Sequence, residues 1–205
     1  MNLKKNFLIV CIIFFSLTSY SYSKNIDEIF IGNNNAKVKV KFYGSYTCPH
    51  CANFHNTIYP QLFSNFIKKN LIKFSFIDFP LDGAAFNASK IARCSTKESS
   101  ILLLEEFYKK QKEWAEGKDI EDINKNLFLI GKKFGLTDEQ MQICLKDKEI
   151  ENKILNDRMN GQNKYGIDAT PTIIINEKKY DGDLKYDGLS KEILKLLKWN
   201  SKKLK

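Results

Sequence analysis

The chain has 205 residues, with 33 lysines and arginines against 24 aspartates and glutamates, a formal net charge of +9, and 43% hydrophobic residues. That length carries one domain with a sizeable core, so a small scaffold held only by disulfides is not required. The basic residues form no dense block apart from the tail at 198–205, which reads as a solvated helix end, so the charge reflects a general lysine-rich composition and not a nucleic-acid partner.

Residues 1–23 read as a secretory signal peptide. Lys4 and Lys5 precede an apolar run at 7–17, and small and polar residues follow, ending Ser21, Tyr22 and Ser23. The run falls short of the roughly 20 residues that span a bilayer, so the expectation is cleavage after Ser23 and not a retained anchor. Cys11, preceded by bulky Val10, leaves with the signal. Four cysteines then remain, Cys48, Cys51, Cys94 and Cys144, and an even number suits an exported chain in an oxidising compartment.

Residues 37–43, KVKVKFY, alternate lysine with apolar residues, the period of a half-buried strand. After SYTCPHC at 45–51, Phe54, Ile58, Leu62 and Phe66 recur every four residues on one face of an amphipathic helix, which Pro60 should kink. Residues 71–79, LIKFSFIDF, make a buried strand closed by Pro80 and the turn at Asp82 and Gly83. From 83 to 166 the spacing is helical throughout, as in Ala84, Ala85, Ala88 and Ala92, or Leu127, Ile130 and Phe134. Thr137, Asp138 and Glu139 open one of these helices with a cap and early acids. Strands return at 172–176, directly after Pro171, and near Lys179 and Tyr180. A last helix starts near Ser190 with Ile193, Leu194, Leu196 and Leu197 as its buried face. This order predicts an α/β fold in which a small mixed sheet is flanked by helices and interrupted by a helical insertion.

The pair Cys48-Pro49-His50-Cys51 sits where the first long strand meets the first long helix. Together with Thr170-Pro171 leading a later strand, the intervening helices, and the segments FIDFPLD at 76–82 and YGIDATPTIIIN at 165–176, it resembles the DsbA family of thioredoxin-fold disulfide oxidoreductases over essentially all of residues 24–205. The resemblance implies a thioredoxin-like domain at 24–82 and 167–205 with a central mixed β-sheet, and an inserted all-helical domain at 83–166. It implies a cis bond before Pro171 that brings the Thr170 backbone beside Cys48, where an extended substrate segment pairs with it. It also implies a periplasmic protein acting on cysteine-containing exported proteins, reoxidised by a DsbB-like, quinone-linked membrane oxidoreductase, with no cofactor of its own.

A cysteine at a helix N-terminus faces unpaired backbone N–H groups and the positive end of the helix dipole, and both favour a thiolate. Cys48 has that position and is the expected nucleophile; Cys51, one turn in, is the resolving cysteine. His50 is expected to add a donor and partial positive charge near the Cys48 sulfur, with Pro49 as its neighbour between the cysteines. Stabilising the thiolate stabilises the reduced form and makes the disulfide a stronger oxidant, a direction the DsbA resemblance implies independently. His55 reads as an ordinary helix-surface residue.

Cys94 and Cys144 are either buried free thiols or a structural disulfide, the latter if their Cα atoms come within roughly 7 Å. The sequence departs from the DsbA pattern twice. Phe42 stands where many relatives carry a buried glutamate that helps pass protons to the inner thiol, leaving Asp78 or water for that task. Thr170 before the proline is also common in isomerases and reductases of this fold. A disulfide reductase or isomerase is therefore the first alternative, although the short stretch at 24–36 before the first strand argues for a monomer. A metal-binding protein using Cys48, Cys51 and a histidine is the second, weakened by the lack of another Cys-x-x-Cys or a histidine pair to complete four ligands; no metal is expected.

Overall fold

The alternating residues of 37–43 form β2 (Val38–Gly44), with Val38, Val40 and Phe42 buried and Lys39 exposed. In the computed structural model, which describes residues 24 and 26–202 and side chains up to residue 198, β2 is central to a five-stranded mixed sheet. The expected signal peptide at 1–23 lies outside the described residues. β2 pairs in parallel with β3 (Ile72–Asp78), placing Phe42 beside Phe76, and antiparallel with β4 (Thr172–Ile175), placing Phe42 beside Ile173. The short β5 (Lys178–Lys179) extends the sheet beyond β4. The other edge is β1 (Ile29–Gly32), antiparallel to β3, which the sequence reading lacks because four residues, IFIG, carry no period of their own.

A parallel β2–β3 pair needs a long crossover, and the helical run at 49–67 supplies it. This run is not uniform: α1 (Pro49–Asn53) and α2 (Tyr59–Leu62) alternate with π-helical turns at Phe54–Ile58 and Phe63–Ile67. In place of the simple kink expected at Pro60, the winding changes on either side of α2, where the proline has no N–H to donate.

Between β3 and β4 the chain is helical: α3 (Gly83–Ala92), α4 (Lys97–Lys109), α5 (Gln111–Trp114), α6 (Ile120–Lys133), α7 (Asp138–Lys146) and α8 (Lys148–Tyr165). Each long helix starts on a side-chain cap. Asp82, Thr96, Asp119 and Asp147 accept from backbone N–H groups of the first turn, and Thr137 forms a reciprocal capping box with Gln140. α9 (Tyr186–Lys202) begins earlier than expected. Leu189 and Ile193 face inward and Leu196 and Leu197 are half-buried, but Leu194 is exposed, because 100° per residue turns it off that face.

One hydrophobic cluster runs from the sheet residues Val40, Phe74 and Ile173 into Leu103, Phe107, Met141 and Ile154 of the helices, so the two regions share a core. A buried arginine reinforces the seam. Arg93 Nε lies 2.7 Å from Asp78 Oδ2 at the end of β3, its Nη1 donates to the Asp27 carbonyl at 2.9 Å, and its Nη2 lies 3.5 Å from Asp157 of α8. Burial works against its charge, and the Asp78 and Asp157 carboxylates more than offset it, so the guanidinium pKa is raised.

Candidate active site

Gly44 ends β2 where a Cβ would sit 2.3 Å from the Phe42 ring and 2.6 Å from the Tyr108 hydroxyl, so only glycine lets the chain pass toward the cysteines. Cys48 takes the N-cap position of α1 in an extended conformation, and Pro49 follows as the first helical residue, where a missing N–H costs nothing. The N–H groups of Cys51 and Ala52 donate to the Cys48 carbonyl, both at 3.1 Å, which closes the first turn under the sulfur. Both cysteines are free thiols; Cys48 is 6% exposed and Cys51 fully buried, so only Cys48 can be reached from outside.

Their acidities diverge. A hydrogen bond from the Cys51 thiol, chiefly, pulls the Cys48 pKa down to about 5. Burial opposes this, while Thr170 and the backbone N–H groups of Cys51 and His50 add to it. Burial, and then the adjacent Cys48 sulfur, push Cys51 far above the usual thiol range. One sulfur is therefore a stable anion and leaving group, and its neighbour is held as an acid.

His50 is exposed, and what reaches the Cys48 sulfur from it is its backbone N–H. With Asn53, Phe54, Ile58, Thr170, Pro171 and Leu184 it lines a cavity of about 290 Å³ beside the cysteines. The Thr170–Pro171 peptide is cis, and the Cys48 sulfur lies 3.2 Å from the Thr170 carbonyl oxygen, to which it donates when protonated. The segment before β4 thus lies against the sulfur although 122 residues separate the two in sequence.

Three partners of the site carried no signal in the sequence. Gln111 of α5 is buried, and its amide donates to the carbonyls of Tyr46 at 2.7 Å and Cys48 at 2.9 Å, pinning the turn from the helical side. Thr47 donates to Asp82, the cap of α3, at 2.7 Å. Tyr108 of α4 is fully enclosed and, with Tyr46 and Phe42, forms an aromatic floor. Thr47 lies in the SYTCPHC stretch and Tyr108 in a helically spaced apolar run, but only the tertiary fold brings Gln111, Asp82 and Tyr108 to the cysteines.

The structure corrects the reading of His55, which is not on the surface. It is 6% exposed and stacks on Tyr59 and Tyr108, because α4 covers the face of the run that a lone helix would leave open. Phe42 is packed among Phe54, Phe74, Phe76 and Tyr108, and Asp78 is engaged by Arg93. Away from the site, Cys94, just past α3, and Cys144 of α7 are joined by a disulfide with Cα atoms 5.8 Å apart, both almost wholly buried. Among the described residues no cluster of three or more His, Cys, Asp or Glu side chains could hold a metal ion, and no helix is long and apolar enough to cross a membrane.

The sequence matches the family model described as Thioredoxin over residues 24–195. A putative protein-disulfide oxidoreductase of Rickettsia bellii is 31% identical over 67% of this chain and 53% of its own length. The disulfide bond formation protein D of Bacillus subtilis is 29% identical over 82% of this chain and 76% of its own length. The chain thus spans about half the length of the first of these relatives. Among solved structures, Wolbachia pipientis alpha-DsbA1 superposes with a TM-score of 0.80 at 25% identity, covering 89% of this chain and 97% of that one. Bacillus subtilis BdbD in its oxidised form gives 0.74 at 26% identity, covering 86% and 97%.

Proposed function

The chain belongs to the thioredoxin family, with a DsbA-like fold, and from that premise we propose that it is an exported thiol:disulfide oxidoreductase that donates its Cys48–Cys51 disulfide to cysteine-containing proteins. The observation that carries this reading is the divided pair, with an accessible Cys48 held near pKa 5 and a buried Cys51 held protonated. In the oxidised protein, a substrate thiolate attacks the Cys48 sulfur, the Cys48–Cys51 bond breaks, and Cys51 leaves with the electron pair and takes up a proton. A second substrate thiolate then attacks the substrate sulfur of the mixed disulfide, and Cys48 departs as a stable thiolate. The substrate loses two electrons and the cysteine pair gains them.

Pro49 and the backbone of His50 shape the start of the helix, and the Thr170 backbone with Pro171 offers an extended substrate segment a place to pair beside the sulfur. The Cys94–Cys144 disulfide holds the helices together and takes no part in turnover. Reoxidation falls to a DsbB-like, quinone-linked membrane partner, in a periplasmic location reached through residues 1–23.

Equilibrium titration of the Cys48–Cys51 pair in glutathione buffers tests the direction of transfer. A potential well above that of thioredoxin is expected, because a stabilised Cys48 thiolate favours the reduced form. A potential near thioredoxin's would make the protein a reductase, the role that Thr170 also suits.

A further inference from the structure

When the disulfide opens, Cys51 is released as a thiolate in a buried place that strongly disfavours one, so the step needs a proton delivered inward. Among the described residues no acid on the neighbouring strands is free to supply it: Phe42 carries no proton to give, and Asp78 is engaged by Arg93. We propose that the His55 imidazole relays protons between the Cys51 sulfur and water in the surface cavity lined by Glu105. This rests on the thiol-exchange function proposed above.

His55 follows Cys51 by four residues in the same helical run, and helical side chains lean toward the N-terminus, so its ring lies over the turn that carries Cys51. Tyr108 of α4 stacks on the His55 ring at 5.0 Å, and of the charges that act on Tyr108 that of Cys51 is the strongest, so the phenol stands in the electrostatic neighbourhood of both groups. Tyr59 covers the imidazole at 4.6 Å and Phe76 approaches at 6.0 Å.

Within this aromatic stack His55 Nδ1 is buried and has no hydrogen-bond partner among the described residues. Leaving a buried nitrogen unpaired carries a desolvation penalty that a phenylalanine in the same stack would avoid. The imidazole also lines a cavity of about 390 Å³ with Asn56, Tyr59, Glu105 and Lys109, so the ring reaches from the interior to solvent. Tyr59 donates to Glu105 at 3.4 Å, and burial raises the Glu105 carboxyl above the usual range, which brings a second proton-handling group to the mouth.

Tyr108 stacks on the ring, Tyr59, Glu105 and Lys109 line the cavity with it, Cys51 precedes it by one helical turn, and burial holds His55 down at about 4. At neutral pH it is therefore uncharged, with one nitrogen as donor and the other as acceptor. In the relay one nitrogen gives its proton to the Cys51 thiolate while the other takes one from water, and the ring changes tautomer without net charge. Resolution of a mixed disulfide runs the same path outward: Cys51 loses its proton, attacks Cys48, and expels the substrate thiolate.

The test is a stopped-flow experiment in which reduced protein meets oxidised glutathione. The concentration-independent phase is the attack of Cys51 on the Cys48–glutathione disulfide. His55→Phe, which keeps an aromatic ring in the stack, should slow this phase on the order of 100-fold at pH 7, and His55→Ala should recover speed with added imidazole, which the cavity admits. The pH profile of Cys48 alkylation should be unchanged in both. If His55→Phe resolves as fast as wild type, or if Cys48 alkylation shifts along with the resolving rate and imidazole restores nothing, the relay is overturned and His55 only packs. A wild-type protein that forms no glutathione adduct at all would overturn the thiol-exchange function itself.

Discussion

The two cysteine pairs of this molecule lie in one shared core yet have opposite chemistry. Cys48 and Cys51 are free thiols, three residues apart at the start of a helical run, with backbone N–H groups and a neighbouring thiol turned toward the outer sulfur. Cys94 and Cys144 are bonded across a sequence separation of 50, and both are sealed beneath the helices. The difference teaches that surroundings, not sulfur, assign the role: a reactive cysteine needs access for an attacking thiolate and donors for its own anion. The largest effect should therefore come from the reactive pair, Cys48 and Cys51. Cys48→Ser should abolish thiol exchange, while Cys51→Ser should stop halfway and accumulate a mixed disulfide at Cys48, visible by mass spectrometry of the intact protein. Full activity in Cys48→Ser would reverse the assignment of the outer sulfur.

The inner pair should answer only in stability. Next to Cys94, Arg93 depends on Asp78 for the compensation of a buried charge. Removing one partner of such a pair typically costs about 3–5 kcal/mol, so Asp78→Asn should lower the urea midpoint strongly. Replacing both Cys94 and Cys144 by alanine should cost about 4 kcal/mol on the chain-entropy treatment of a loop of that length. The glutathione equilibrium of Cys48–Cys51 should stay where it is in this double variant. A large shift in that equilibrium would mean that the two pairs are coupled through the core.

A pH series sharpens the same contrast. The folded pKa of Cys48 lies at about 5, below the ordinary 9.0, so the folded reduced protein gains stability as pH rises from about 5 toward 9 and loses it as pH falls through 5. Cys51, shifted upward, stays protonated in both folded and unfolded chains below about 9 and adds nothing in that window. The oxidised protein has no Cys48 thiol to titrate. Urea melts of the two redox forms should therefore move in favour of the reduced form between pH 5 and 9, and parallel curves would refute the depressed pKa. Cys94 and Cys144, bonded in both forms, drop out of the difference.

Much of the fold is legible in the sequence because it rests on local periods. The lysine alternation of β2, the four-residue spacing from Phe54 to Phe66, the turn at Asp82 and the cap at Thr137 each act within a few residues. The four-residue β1, whose partner is β3, has no such signature. The candidate site divides in the same way. Cys48 as the outer sulfur follows from its place at a helix start, which is local. The contact of Thr170 with Cys48 follows only from family resemblance, and nothing in the sequence points to the grip of Gln111 on the Tyr46 and Cys48 carbonyls. His55 is interior for a related reason: on its own helix it lies beside the apolar stripe, and only Tyr108, from the later helix α4, covers it.

Asp82 joins the two halves of the comparison and gives the smallest effect. Its Oδ1 accepts from the Ala85 N–H at 2.8 Å and caps α3, the helix that leads to Cys94, while its Oδ2 accepts from Thr47 at 2.7 Å, one residue before Cys48. Losing an N-cap typically costs about 1 kcal/mol, and asparagine caps nearly as well as aspartate. Asp82→Ala should therefore lower stability by about 1 kcal/mol in urea melts, and Asp82→Asn by much less. Cys48 acidity rests on Cys51, Thr170 and the backbone N–H groups of the first turn, so the pH profile of Cys48 alkylation should be the same in both variants. If Asp82→Ala instead shifts that profile, the Thr47–Asp82 bond aims the first turn at the sulfur, and the boundary between the structural and the reactive pair runs through this carboxylate.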